Sequence, residues 1–130
     1  MAIEAPGVHS WTFVAGGDLR AKQFTFVMLN SSGEVISCTG ATDNPVGILQ
    51  NKPNTGEMAE VWFFGISKLC MNTSCTLGNY VGTHTDGRGA VYVHGTDTTK
   101  YIPAVVIGAT TAAGGVASVM FNCMALARAT

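Results

Sequence analysis

The sequence predicts an all-β protein, a small barrel or sandwich with extended terminal arms, and three observations predict it. Short apolar segments recur along the 130 residues with glycine, proline, asparagine or aspartate turns between them. No long amphipathic helical pattern competes with them. The run from Asn44 to Lys68 then gives a short apolar strand, a turn-rich connection carrying Pro53 and Gly56, and a long aromatic strand. On that strand Val61 and Phe63 alternate with Trp62, Phe64 and Ile66, so both faces are apolar and both require cover.

The elements follow in order. The first ten residues read as an arm, because Pro6 and Gly7 oppose regular structure while Ile3 and Val8 supply apolar anchors. Trp11 to Val14 form a short strand closed by Gly16-Gly17. Asp18 to Lys22 hold one helical turn with Asp18 as N-cap. Phe24 to Leu29 form a strand with Phe24, Phe26 and Met28 on one face; Asn30 to Gly33 turn the chain, and Glu34 to Cys38 return as a hairpin partner. Tyr80 to Thr83 and Ala90 to Val93 flank an Asp86-Gly87 turn, where glycine supplies the positive φ a tight hairpin needs. A polar loop from Gly95 to Lys100 precedes two last strands, Ala104 to Ile107 and Val116 to Phe121, joined through Gly114-Gly115. The tail from Asn122 to Thr130 reads either as a helical turn or as a further arm. The chain thus divides into an arm and first strand (1–15), a β body (16–121) and a tail (122–130).

Composition narrows the function. Charged residues make up 12%, about half the ~25% of ordinary soluble domains, so part of the surface is expected to be hidden in an assembly. A net charge of −1 without any basic run argues against direct nucleic-acid binding. The N-terminus lacks a cationic region followed by an apolar core, and no stretch approaches the ~20 apolar residues of a membrane span. The expectation is a soluble protein made in the cytoplasm, with no membrane partner. Cys38, Cys70, Cys75 and Cys123 read as free buried thiols ahead of a disulfide or a metal site, since Cys70 and Cys75 lack zinc-ribbon spacing.

No catalytic, cofactor-binding or metal-ligating residues stand out. His84 and His94 flank the Asp86-Gly87 turn and are placed to approach across its arms, but two histidines alone make a poor metal site. Glu57, Glu60, Asp86 and Asp97 are the carboxylates available for acid–base work, and none pairs with another in a catalytic pattern. Gly-x-Ser-x-Gly, Gly-x-Gly-x-x-Gly and phosphate-loop patterns are absent, and Gly87-Arg88-Gly89 reads as a turn. Trp11, Phe13, Phe24, Phe26, Trp62 and Phe64 read as core.

One resemblance adds to this. Gly17-Asp18-Leu19, Phe24 to Leu29 with Asn30-Ser31-Ser32-Gly33-Glu34-Val35, and Pro45 to Pro53 come in sequence. Gly56-Glu57, Glu60-Val61, Gly65 to Lys68, Leu77 to Val81 and Asp86 to Ala90 continue the pattern. Together, from about Gly16 to Phe121, the chain resembles the small capsid decoration, or cement, proteins of tailed bacteriophages. The resemblance implies a β-barrel or β-tulip-like body on the outer capsid surface, often a homotrimer, assembled in the host cytoplasm. Its partners would be the major capsid protein and itself, and it would bridge neighbouring capsomers against the pressure of packaged DNA. The arm would lie along the shell, with Ile3, Val8, Trp11 and Phe13 as capsid contacts. Four cysteines and so aromatic a strand depart from what the family leads one to expect. Two rival readings are a β-clip nucleotide hydrolase, whose acidic and glycine-rich motifs are not found, and a receptor- or carbohydrate-binding virion protein such as a head-fibre base. The second would need Trp11, Trp62 or Tyr101 exposed beside polar partners.

Overall fold

The computed structural model describes residues 9–124 and 129. Among them the chain is all-β. The strands are β1 (His9–Val14), β2 (Phe26–Leu29), β3 (Val35–Ser37), β4 (Gly47–Leu49), β5 (Met58–Cys70), β6 (Tyr80–Thr83), β7 (Gly89–Tyr92), β8 (Ala104–Gly108) and β9 (Val116–Asn122). They make one curled sheet in the order β3-β2-β4-β5-β9-β8-β6-β7, with β1 also paired to β5. Every strand pairing is antiparallel.

β5 is the long aromatic strand of the sequence, and the sheet is assembled on it. β1 pairs along Met58 to Phe64 and β9 along Phe64 to Cys70. β4 pairs with Val61 and Trp62, which also face Trp11 and Ser10, so β4 and β1 take opposite edges. Both faces of this region are covered, as the sequence requires. Phe26, Ile48 and Trp62 pack into a cluster with Leu69, Met71, Val81, Val106, Val119 and Phe121. Their strand neighbours Val27, Leu49 and Val61 pack the other way, with Ala15, Leu19, Val35 and Ala59.

Strict alternation does not survive along the whole of β5. Val61 and Leu69 are an even number of residues apart, yet they belong to opposite clusters. The register supplies the reason: His9 faces Phe64 and Ser10 faces Trp62, which leaves Phe63 as an extra residue. Such a β-bulge reverses the sense of alternation beyond it. Two further expectations are corrected. Asp18 to Lys22 hold a single turn at Arg20 and Ala21, closed by the Lys22 N–H on Leu19 O at 3.0 Å, and not a helical turn; the Leu19 N–H donates to Pro53 O at 2.9 Å and ties the segment to another loop. Asp18 still makes the bond of a cap: it accepts from the Arg20 guanidinium at 2.8 Å and from the Arg20 backbone N–H at 3.1 Å, bonds that hold its carboxyl down at about 2. Phe24 lies outside β2 with φ +62°, a left-handed conformation uncommon for an aromatic residue. Its N–H donates to Leu49 O and its carbonyl accepts from Cys70 N–H, both at 2.7 Å, and these two tethers fix the backbone there.

The curl closes through the β6–β7 hairpin. Gly87 (φ +86°) turns at its tip, where a Cβ would meet Phe26 O and Ser37 Oγ, each at 2.9 Å. The Phe26 N–H donates to Gly87 O at 2.7 Å, and the Asn72 N–H to Gly89 O at 2.9 Å, so the tip is tied to β2 and to the end of β5. Ala129 is buried against the polar loop and bonded to Gly95 and Lys100.

Close packing on the hairpin is testable at Gly82, where an added Cβ would overlap Tyr101 O and the Tyr92 ring. Gly82→Ala should destabilise the fold by about 2–3 kcal/mol in urea unfolding, as overpacking does. Gly17→Ala has nothing within 4 Å of its Cβ and should be neutral or stabilising by up to ~1 kcal/mol.

Candidate functional site

The expected capsid contacts fall partly within the described residues. Ile3 and Val8 lie outside them. Trp11 and Phe13 sit two residues apart on β1, and the strand begins at His9, two residues earlier than the sequence suggests. Trp11 is 67% exposed, while Phe13 is half-buried against the Val61 cluster. The expectation that the aromatics form the core is corrected: of Trp11, Phe13, Phe24, Phe26, Trp62 and Phe64, Phe26 alone is fully buried. β1 covers the edge of β5, but nothing among the described residues covers Trp11.

Around these two residues lies a depression of about 370 Å³, completed by Leu29, Val46, Phe63, Cys123 and Met124. Sequence reasoning missed these additions, because they come from four separate segments that only the fold brings together. A second apolar surface crosses the outside of the sheet. Ile66 pairs with Met120, Met120 with Val105, and Val105 with Tyr80, giving a strip across β5, β9, β8 and β6. Met120 is 55% exposed and Ile66 50%, and a groove of about 370 Å³ runs beside them between Phe64 and Pro103. Ile66, Met120 and Tyr80 are exposed and Val105 is half-buried, so the strip forms one continuous apolar row across four strands.

The titratable groups shape loops. Glu57 accepts from the Asn54 N–H at 2.6 Å, and Asp97 from the Val93 N–H at 2.7 Å. Burial pushes the Asp86 carboxyl up, but bonds from the Arg88 backbone and guanidinium and from His84 outweigh it and leave it below the usual carboxylate range. His84 and His94 do not approach one another. The β6–β7 register places His84 at the tip, its N–H on Arg88 O, and His94 at the open end, edge-on to Tyr80 at 4.6 Å. Among the described residues no three His, Cys, Asp or Glu side chains group as a metal site. Trp62 is half-buried and donates from Nε1 to Glu60 Oε1 at 3.0 Å; Tyr101 is half-buried.

All four cysteines are free. Cys38 is fully buried, and burial pushes its thiol up to about 12; burial does the same to Cys123.

No family model matches the chain, and no curated protein does. Among solved structures it is similar to the head fiber gp8.5 N base of bacteriophage phi29, with a TM-score of 0.65 and 13% sequence identity. The likeness covers 89% of this chain and 95% of that one. At that identity it establishes the all-β fold.

The buried thiol makes a pH prediction. Cys38 has a folded-state pKa above its ordinary 9.0, so the unfolded chain loses the proton first. The stability this thiol contributes is intact below pH 9 and is lost as pH rises toward 12. By about pH 10.5 the loss should reach ~2 kcal/mol. Cys38→Ala should remove its share of the alkaline slope in urea unfolding and leave the share due to Cys123, and an unchanged slope would show that Cys38 titrates normally. In the folded wild type at neutral pH, Cys38 should resist thiol reagents.

Proposed function

We propose that this chain is a structural protein of a phage virion, bound to the outer surface of the capsid and cementing neighbouring major capsid protein subunits there. The observation that carries the reading is the likeness of nearly the whole fold to a phage head-fiber base. The surface around Trp11 and Phe13 supports it, because residues 1–8, with Ile3 and Val8, lead directly into β1 beside it. An arm and an apolar patch in continuity suit a shell contact that spans more than one subunit. The strip from Ile66 to Tyr80 serves self-association, with a homotrimer as the unit. The net charge of −1 suits a protein that touches the shell and not the DNA inside it.

The likeness equally favours a second reading, the base of a head fibre with a receptor- or carbohydrate-binding role on the virion surface. Shell mechanics separate the two. A cement protein raises the temperature or internal pressure at which DNA-filled heads rupture, whereas a fibre base leaves it unchanged.

Mixed with matching expanded, decoration-free capsids and imaged by cryo-electron microscopy, the wild-type protein should give symmetric density on the outer surface. Trp11→Ala should weaken capsid binding by ~2 kcal/mol, roughly thirtyfold, as loss of an interface tryptophan does. Removal of residues 1–8, a cut that spares β1, should abolish binding without unfolding the body; unchanged occupancy would sink the arm's role. Separately, Met120→Glu should convert the oligomer to monomers in light scattering while leaving the circular dichroism unchanged. A variant that stays oligomeric would remove the strip from the self-association interface.

A further inference from the structure

The strands of this protein are almost free of charge. Among the described residues, Glu60 and Lys68 are the only charged side chains in any strand, and both lie in β5. Both also line one hollow of about 510 Å³, with Phe24, Gln50, Trp62, Ile66, Ser67 and Ser118. Pairing of β4 with β5 stops at Ile48 and Trp62, while β5 runs on to Cys70. Phe24 spans the gap through its bonds to Leu49 and Cys70, and the unusual φ of +62° belongs to this wall. Backbone strain of this kind concentrates at ligand sites.

The lining is held in place. Gln50 Nε2 donates to Ile48 O at 3.2 Å and to Ser67 Oγ at 2.9 Å, and the buried Ser67 hydroxyl donates to Lys68 O at 2.9 Å. The Trp62 indole is fixed by Glu60, and Lys68 Nζ lies 5.6 Å from the centre of the Phe24 ring. The hollow therefore presents two aromatic rings, a carboxylate, an ammonium, an amide and hydroxyls, with no net formal charge.

That combination selects a ligand class. An apolar ligand would strip water from Glu60 and Lys68 without replacing it, which is costly. A phosphate or other anion would meet the Glu60 carboxylate beside its single cation. A sugar ring fits both demands: its C–H face packs on an aromatic ring, and its hydroxyls both donate and accept. Glu60 is an acceptor only, Lys68 a donor only, and Ser118 either. Concave sites that combine aromatic walls with a few placed polar groups are the usual form of small-ligand sites. We propose that this hollow binds an uncharged saccharide, stacked on Trp62 and hydrogen-bonded by Glu60, Lys68 and Ser118. The inference rests on the head-fibre reading for its biological setting.

The test uses the free full-length chain, so its result is independent of capsid binding. The sequence holds two tryptophans, Trp11 and Trp62, and therefore two indole N–H resonances in a ¹⁵N–¹H spectrum, assigned with Trp11→Phe. Glucose, galactose, N-acetylglucosamine and rhamnose are titrated separately, with inorganic phosphate as a further arm. At least one sugar should move the Trp62 resonance saturably and leave that of Trp11 in place. Glu60→Gln and Lys68→Met, both at exposed positions, should each weaken that binding at least tenfold with the spectrum otherwise intact. A Trp62 resonance that no sugar moves, or that moves in Glu60→Gln and Lys68→Met as it does in the wild type, overturns the proposal. A response to phosphate alone replaces it with an anion site. Sugar binding without capsid binding defeats the head-surface reading and not this one.

Discussion

Three strands depend for their pairing on the thirteen residues of β5. β1 and β9 take successive halves of it, and β4 takes the opposite edge at Val61 and Trp62. Because successive side chains face opposite ways, each residue of this strand is committed to one of two cores. A slip of one residue would carry Val61 out of the Leu49 cluster and Trp62 away from Ile48, forcing each side chain into a space shaped for the other. The register of the whole sheet is therefore fixed by hydrophobic burial on both faces of one strand. The close contact of Gly47 with Val61 and the Trp62 backbone adds a steric lock at the same place, since no larger residue fits there.

The bulge at Phe63 gives this constraint its functional consequence. Phe63 lines the depression beside Trp11, and Phe64 lines the groove beside Ile66 and Met120. Two adjacent residues of one strand thus supply two separate apolar surfaces. Bulges bend a strand and re-aim its side chains, and here the extra residue lets Leu69 join the core that Trp62 faces. A regularly alternating β5 would have turned Leu69 toward solvent or left Trp62 there.

Much of this was legible in the sequence, for reasons that can be located. The strands around Phe26, Val35, Val81, Ala90, Val106 and Val119 lie between turn residues whose chemistry is local, and local chemistry is what a sequence displays. The two-sided apolar character of β5 was legible too, because it depends only on residue type. What was hidden depends on distant partners. The φ of Phe24 is set by Leu49 and Cys70, and the bulge at Phe63 by the register of β1. The turn after Asp18 is anchored by Pro53, whose carbonyl takes the Leu19 N–H from a distant loop. Trp11 looked like core because tryptophan usually is; whether it is covered depends on what lies beyond the sheet edge. The hollow was illegible as a unit, since Phe24, Gln50, Trp62, Lys68 and Ser118 come from segments spread across the chain.

The scarcity of charge, which first pointed to an assembly, is not spread evenly. Asp18 with Arg20, and Asp86 with Arg88, are ion pairs in turns, and Lys22 bonds to the backbone of Asp86. Spent in this way, the charges organise loops and leave the sheet faces to apolar residues. A sheet surface so nearly free of charge is ill suited to water but well suited to lying against protein, where each charge would have to be desolvated or paired. Glu60 and Lys68 break that pattern within a single strand and face a single hollow. Lys68 stands two residues from Ile66, which lines the hollow and the strip alike, so the hollow adjoins the strip at its β5 end. At that place the two charges put a donor and an acceptor at the edge of an otherwise apolar surface.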